Sequence, residues 1–116
     1  PLTLLVLPEV EAYESSKTLA LKLKEMALPG EAVGGECDHR RGIAFYSGKT
    51  DIEDIHPYHD FKMFLERNER VWGIVQKKHY QQYRKEKPDR FIEEVAWSGE
   101  YVLITNKPLP PSRYED

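Results

Sequence analysis

The densest run of reactive side chains is Cys37-Asp38-His39-Arg40-Arg41. Two adjacent guanidiniums can hold a phosphate or a carboxylate through paired, charge-assisted hydrogen bonds. His39 beside them adds a further donor. The plainer reading is a solvated loop whose arginines pair with nearby acids. A second cluster, His56, His59 and Asp60, follows later in the chain. Cys37, His39, His56 and His59 are zinc-ligand types. They are weak candidates for a metal or a small metal-dependent hydrolase, because His-Pro-Tyr-His is not a metal-ligand spacing and nothing in the sequence joins the two clusters. Cys37 and His39 lie two apart, so on a strand both point to one side. A nucleophile–base pair would still lack a third group to orient the imidazole.

Other patterns carry less chemistry. Gly34-Gly35 belongs to neither Gly-x-x-x-x-Gly-Lys-Ser/Thr nor Gly-x-Gly-x-x-Gly, so no phosphate loop is present. Lys77-Lys78 and Arg84-Lys85 make one helix basic. That is a solvated face, or a contact for anionic lipid head groups.

The elements that must position these residues follow from periodicity and punctuation. Residues 9 to 14 are acidic and polar and read as a connector. Ser15 or Ser16 can cap a helix in which Leu19, Leu23 and Met26 form one apolar stripe. Pro29-Gly30 stops it. Residues 32 to 37 read as a strand whose paired glycines imply close backbone approach. The next strand-end loop holds the cationic cluster, and carboxyl ends of strands are where open α/β sheets bind ligands. Ile43 to Tyr46 reads as a helical turn that plants Phe45 and Tyr46 in the core. Asp51 to Ile55 alternates like a short edge strand. Pro57 opens a helix over 57 to 68 with Tyr58, Phe61, Phe64 and Leu65 on one face. Val71 to Val75 is uniformly apolar, which implies a strand buried on both faces. A helix over 77 to 86 uses Tyr80 and Tyr83 as its apolar contacts. Phe91–Trp97 and Tyr101–Thr105, joined at Ser98-Gly99-Glu100, read as a β-hairpin.

Strands alternating with helices predict a small layered α/β domain. Its sheet is mixed, of about four to five strands, with helices packed on it and a C-terminal hairpin. The expected divisions are residues 1–14 as a connector or the end of a membrane helix, 15–107 as the α/β domain, and 108–116 as a flexible Pro-rich tail.

The chain has 116 residues, a net charge of −3 and a single cysteine. The length is one domain's worth. Two Trp, seven Tyr and four Phe argue against intrinsic disorder. The acidic balance argues against a nucleic-acid binder. One cysteine excludes an internal disulfide and any Cys-x-x-Cys pair. Leu2 to Leu7 is uniformly apolar, and reads as a buried strand or as the exit of a membrane helix.

A succession of short motifs then acquires meaning. Ser15-Ser16-Lys17-x-Leu19-Ala20 follows the apolar run. Pro29-Gly30-Glu31, Phe45-Tyr46-Ser47-Gly48-Lys49 and Val71-Trp72-Gly73-Ile74-Val75 come next. Trp97-Ser98-Gly99-Glu100-Tyr101-Val102-Leu103-Ile104-Thr105-Asn106-Lys107 ends the series. Over residues 1 to 107 this resembles the C-terminal soluble region of bacterial membrane glycosyltransferases. The group is the protein-mannosyltransferase-like family that includes the aminoarabinose transferase of lipid A. Lys49 stands where Arg is common, and the 38–41 loop is more basic than the pattern.

The resemblance implies that Leu2–Leu7 leaves the last membrane helix. The domain would then lie on the periplasmic side of the inner membrane, against the membrane domain of its own parent chain. The parent would use a polyprenyl-phosphate-linked sugar and a divalent cation, with its catalytic carboxylates in other loops. No residue here matches those loops, so no catalytic residue is expected, and no cofactor. His39, Arg40 and Arg41 are the expected ligand-binding residues, toward an anionic lipid or glycolipid acceptor. The alternative is a free-standing soluble α/β binding module, with no membrane parent.

Overall fold

A computed structural model describes residues 8–36, 40–49, 51–55 and 58–109. Nine elements alternate along them. They are α1 (Pro8–Met26), β1 (Ala32–Gly35), α2 (Arg40–Ser47), β2 (Ile52–Asp54), α3 (Tyr58–Leu65), β3 (Val71–Gln76), α4 (Lys77–Glu86), β4 (Glu93–Ser98) and β5 (Tyr101–Thr105). The five strands form one sheet in the order β2-β1-β3-β5-β4. β1 pairs in parallel with both β2 and β3, while β5 pairs antiparallel with β3 and with β4. The expected mixed α/β sheet with its C-terminal hairpin is what the chain adopts.

Two apolar layers explain why the central strands lack polar alternation. Trp72, Ile74, Tyr101 and Leu103 pack with Leu19, Leu23 and Met26 of α1 and Ile43 of α2. Val71, Val75, Val102 and Ile104 pack with Phe61, Phe64 and Leu65 of α3 and Tyr80 and Tyr83 of α4. β3 and β5 are therefore covered on both sides, and Val71–Val75 and Tyr101–Thr105 are buried throughout. β2 lies at the edge of the sheet and is mostly exposed, in keeping with its short acidic sequence.

Gly34 shows why β1 tolerates no side chain at its centre. A Cβ there would stand 2.8 Å from Ile55 Cγ2 and 3.0 Å from the Phe64 ring. The close approach expected from Gly34-Gly35 is that of α3 onto β1. Gly99, with φ +58°, supplies the left-handed residue of the β4–β5 turn.

Five local expectations change. Helix α1 begins at Pro8 rather than at Ser15, so residues 9–14 are helical. Phe45 is 71% exposed. Ile43 fills the core from α2 instead, because an amphipathic two-turn helix can turn only one side to the sheet. α3 ends at Leu65, and β4 starts at Glu93. Leu109, just past Pro108, is buried against the α1 layer. No helix among the described residues is long and apolar enough to cross a membrane.

Candidate functional site

Because β1, β2 and β3 are parallel, their carboxyl ends share one edge of the sheet. The connections leaving that edge are residues 36–39 into α2, 55–57 into α3, and β3 running directly into α4. The β4–β5 turn meets the same edge, where Lys77 N donates to the Glu100 carbonyl at 2.8 Å. The chain leaves β1 for β2 on one side and then returns past β1 to β3 on the other. The gap between β1 and β3 is thus a topological switch point, the usual ligand crevice of such sheets.

Glu36 occupies it. The residue is only 1% exposed. Its Oε2 accepts from Gln76 N at 2.6 Å, and its Oε1 lies 2.6 Å from His79 Nδ1. Gln76 is the N-cap of α4 and makes no capping bond with its own side chain. A buried carboxylate supplied by β1 does that work instead, and its charge complements the positive end of the helix dipole. His79 in turn lies against Tyr58 at the start of α3, with ring centroids 6.3 Å apart. Burial first, and then the neighbouring Glu86 carboxylate, push the Tyr58 hydroxyl up to about 12. One carboxylate and one imidazole therefore tie β1, α3 and α4 together at the crevice. Glu36 carried no sequence signal beyond an acid closing an otherwise uncharged strand.

Some of the residues expected to do chemistry follow the same parallel strands. Arg40 and Arg41 form the first turn of α2 at the same edge. His59 is exposed in the first turn of α3, and Asp60 is exposed beside it. Lys77 reaches over the Trp97 ring, with Nζ 5.9 Å from its centroid, and Lys78 is exposed. Trp97 is 44% exposed and meets Tyr80 edge-on at 5.9 Å. Cys37, Asp38, His39 and His56 lie outside the described residues. Of the two loop clusters, the described residues Arg40, Arg41, His59 and Asp60 open helices α2 and α3, which follow β1 and β2 from this edge. No three His, Cys, Asp or Glu side chains gather as a metal site among the described residues.

The motif residues are used differently. Lys17 Nζ sits 5.3 Å from the Tyr46 ring centroid, joining α1 to α2. Lys49 Nζ donates to the Leu28 carbonyl at 2.9 Å. Trp72 Nε1 donates to Glu31 Oε1 at 3.0 Å, and Arg70 pairs with the same carboxylate at 3.4 Å. Thr105 Oγ1 donates to the Val71 carbonyl at 2.8 Å and accepts from Arg70 at 3.1 Å. Asn106 accepts from Val71 N at 2.9 Å and gives its amide to the Leu65, Arg67 and Glu69 carbonyls. These residues hold elements and turns together at or near the opposite edge. They build the fold.

No family model matches the sequence, and no curated protein matches it. Among solved structures, the fold is similar to part of ArnT from Cupriavidus metallidurans, determined in the apo state. The TM-score is 0.54 at 13% sequence identity, over 84% of this chain and 21% of that one. The chain therefore spans about a fifth of the length of ArnT. The likeness establishes a common fold for that portion.

Proposed function

We propose that this chain is a non-catalytic, extracytoplasmic domain of a membrane glycosyltransferase that uses a polyprenyl-phosphate-linked sugar. The observation that carries the reading is the fold shared with one part of ArnT, a membrane glycosyltransferase. The ordered motifs of residues 15 to 107 support it independently. Within those motifs Lys49, Trp72, Thr105 and Asn106 tie elements together.

The carboxyl edge of the parallel strands faces the membrane domain of the parent chain. The helix direction supports this placement. α1 turns through residues 27–31 into β1, so it runs back across the sheet from that edge. It begins at Pro8, so its first nine residues, Pro8–Ser16, span about 13 Å of helix. Trp97 with Lys77 is the pairing of an amphipathic ring and a cation that suits a membrane interface. Arg40 and Arg41, with His39, hold an anionic head group by charge-assisted hydrogen bonds. The domain caps the cavity or helps admit the acceptor. Any divalent cation and the bond-breaking groups belong to the membrane domain.

The test is sugar transfer by the full-length parent in native membranes, wild type against Arg40→Ala with Arg41→Ala. The expected result is a severalfold rise in KM for the acceptor with kcat retained. Wild-type membranes free of polyprenyl-phosphate-dependent transfer would overturn the glycosyltransferase reading. An unchanged KM in the double variant would remove the head-group role alone.

A further inference from the structure

The edge opposite the switch point carries a second recess, of about 420 Å³, where three connections meet. Residues 66–70 lead from α3 to β3, residues 87–92 lead from α4 to β4, and residues 106–109 follow β5. Arg67, Asn68, Asp89, Arg90, Phe91 and Lys107 are among the residues that line it.

Its walls are held in place by bonds that do not involve those side chains. Asn106 ties down three carbonyls of the 65–69 stretch. Arg70 holds the Lys107 and Pro108 carbonyls at 3.0 and 2.6 Å. Arg84 holds the Arg90 carbonyl at 2.9 Å. Polar side chains of turns often bond neighbouring backbone in this way. Asn68, Asp89 and Lys107 do not. Their side chains make no hydrogen bond or ion pair among the described residues, and Phe91 is 49% exposed with no ring partner there. The guanidinium of Arg90 lies beside the buried Tyr83 hydroxyl, and that of Arg67 is occupied by Glu53 at 2.9 Å.

We infer that this recess binds an anionic sugar. The volume suits a ligand of one or two rings. Lys107 and Arg90 supply charge for a phosphate or carboxylate group. Asn68 and Asp89 supply a donor–acceptor pair for ring hydroxyls. Phe91 offers one apolar face for the C–H side of the ring. Asp89 also repels a bare polyanion, which separates a sugar from a simple phosphate site. The preorganised walls lower the cost of ordering on binding. The inference stands apart from the proposed function, since it uses the other edge of the sheet and none of the same residues.

The test is amide chemical-shift titration of the isotopically labelled 116-residue chain. The probes are glucose 6-phosphate, glucose, inorganic phosphate and uridine monophosphate. The expected result is saturable shifts at Asn68, Asp89–Phe91 and Lys107 with glucose 6-phosphate. Glucose and phosphate should each bind at least about tenfold more weakly. Phe91→Ala and Lys107→Gln should each cost a similar factor. Lys107→Gln is the second variant should truncation of Phe91 disturb β4. Phosphate binding as tightly as glucose 6-phosphate, uridine monophosphate binding more tightly, or no shift at these residues overturns the inference.

Discussion

The carboxylate of Glu36, at the end of β1, caps helix α4 by accepting from Gln76 N at 2.6 Å while holding His79 Nδ1 at the same distance. The relationship joins residues forty positions apart, and it fixes the switch-point edge on which the proposed function depends. Its loss leaves a helix start uncapped and removes this bond to the imidazole. Glu36→Gln should cost about 1–2 kcal/mol and Glu36→Ala about 2–4 kcal/mol of unfolding free energy. Urea unfolding followed by circular dichroism measures both. A neutral Ala variant would mean the carboxylate contributes nothing to the edge.

Asn106 makes a sharper case, because one side chain both accepts and donates. Asn106→Asp keeps an acceptor for Val71 N but places a carboxylate against three carbonyls. Asn106→Asp and Asn106→Ala should each destabilise by about 2–4 kcal/mol, with Asp no milder than Ala. Thermal unfolding of the two variants decides it. An Asp variant close to wild type would show that the donor side of the clamp is dispensable.

Gly34 tests the contact between α3 and the sheet. Gly34→Ala pushes a methyl group to 2.8 Å from Ile55 and against the Phe64 ring. Overpacking of this kind costs about 1–3 kcal/mol. Gly30→Ala meets no atom within 4 Å, so any cost there comes from its φ of +87° alone and should leave the α3 layer intact. Ring resonances of Phe64 in the two variants separate the effects.

Three tyrosines should make stability fall at alkaline pH. Tyr58, Tyr80 and Tyr83 all have hydroxyls raised above 10.0, chiefly by burial, and Tyr58 reaches about 12. The folded state therefore holds these protons more tightly than the unfolded chain does. Their contribution is complete below pH 10 and is lost as pH rises through the folded values. Unfolding free energy should fall steadily from about pH 10 to 12. Tyr80→Phe and Tyr83→Phe should each flatten that fall. An unchanged slope in both would place the alkaline transition elsewhere.

Much of the fold was legible because its signals are local. The Leu19–Leu23–Met26 stripe, the apolar Val71–Val75 run and the Gly99 turn each specify an element from a few neighbouring residues. Phe45 misled because a two-turn helix has too few positions for its buried side to be read from period alone; Ile43, two residues earlier, took the core position. The acids of residues 9–14 gave no apolar stripe, so the early turns of α1 were hidden. The site was less legible for a different reason. Glu36 and His79 meet only through the parallel pairing of β1 with β3, and strand order leaves no trace in local pattern. Of the expected cationic cluster, Arg40 and Arg41 open α2 after β1, and Cys37, Asp38 and His39 lie outside the described residues. Motif residues such as Thr105 and Asn106 are ties that hold the fold together.

The central claim is that these residues belong to a membrane glycosyltransferase. An antibody raised against the domain, used on fractionated cells of the native host, tests it most directly. The account predicts a band well above 13.6 kDa in the membrane fraction, cleaved by external protease only once the periplasm is opened. A soluble band near 13.6 kDa would contradict it and leave a free-standing α/β binding module in its place.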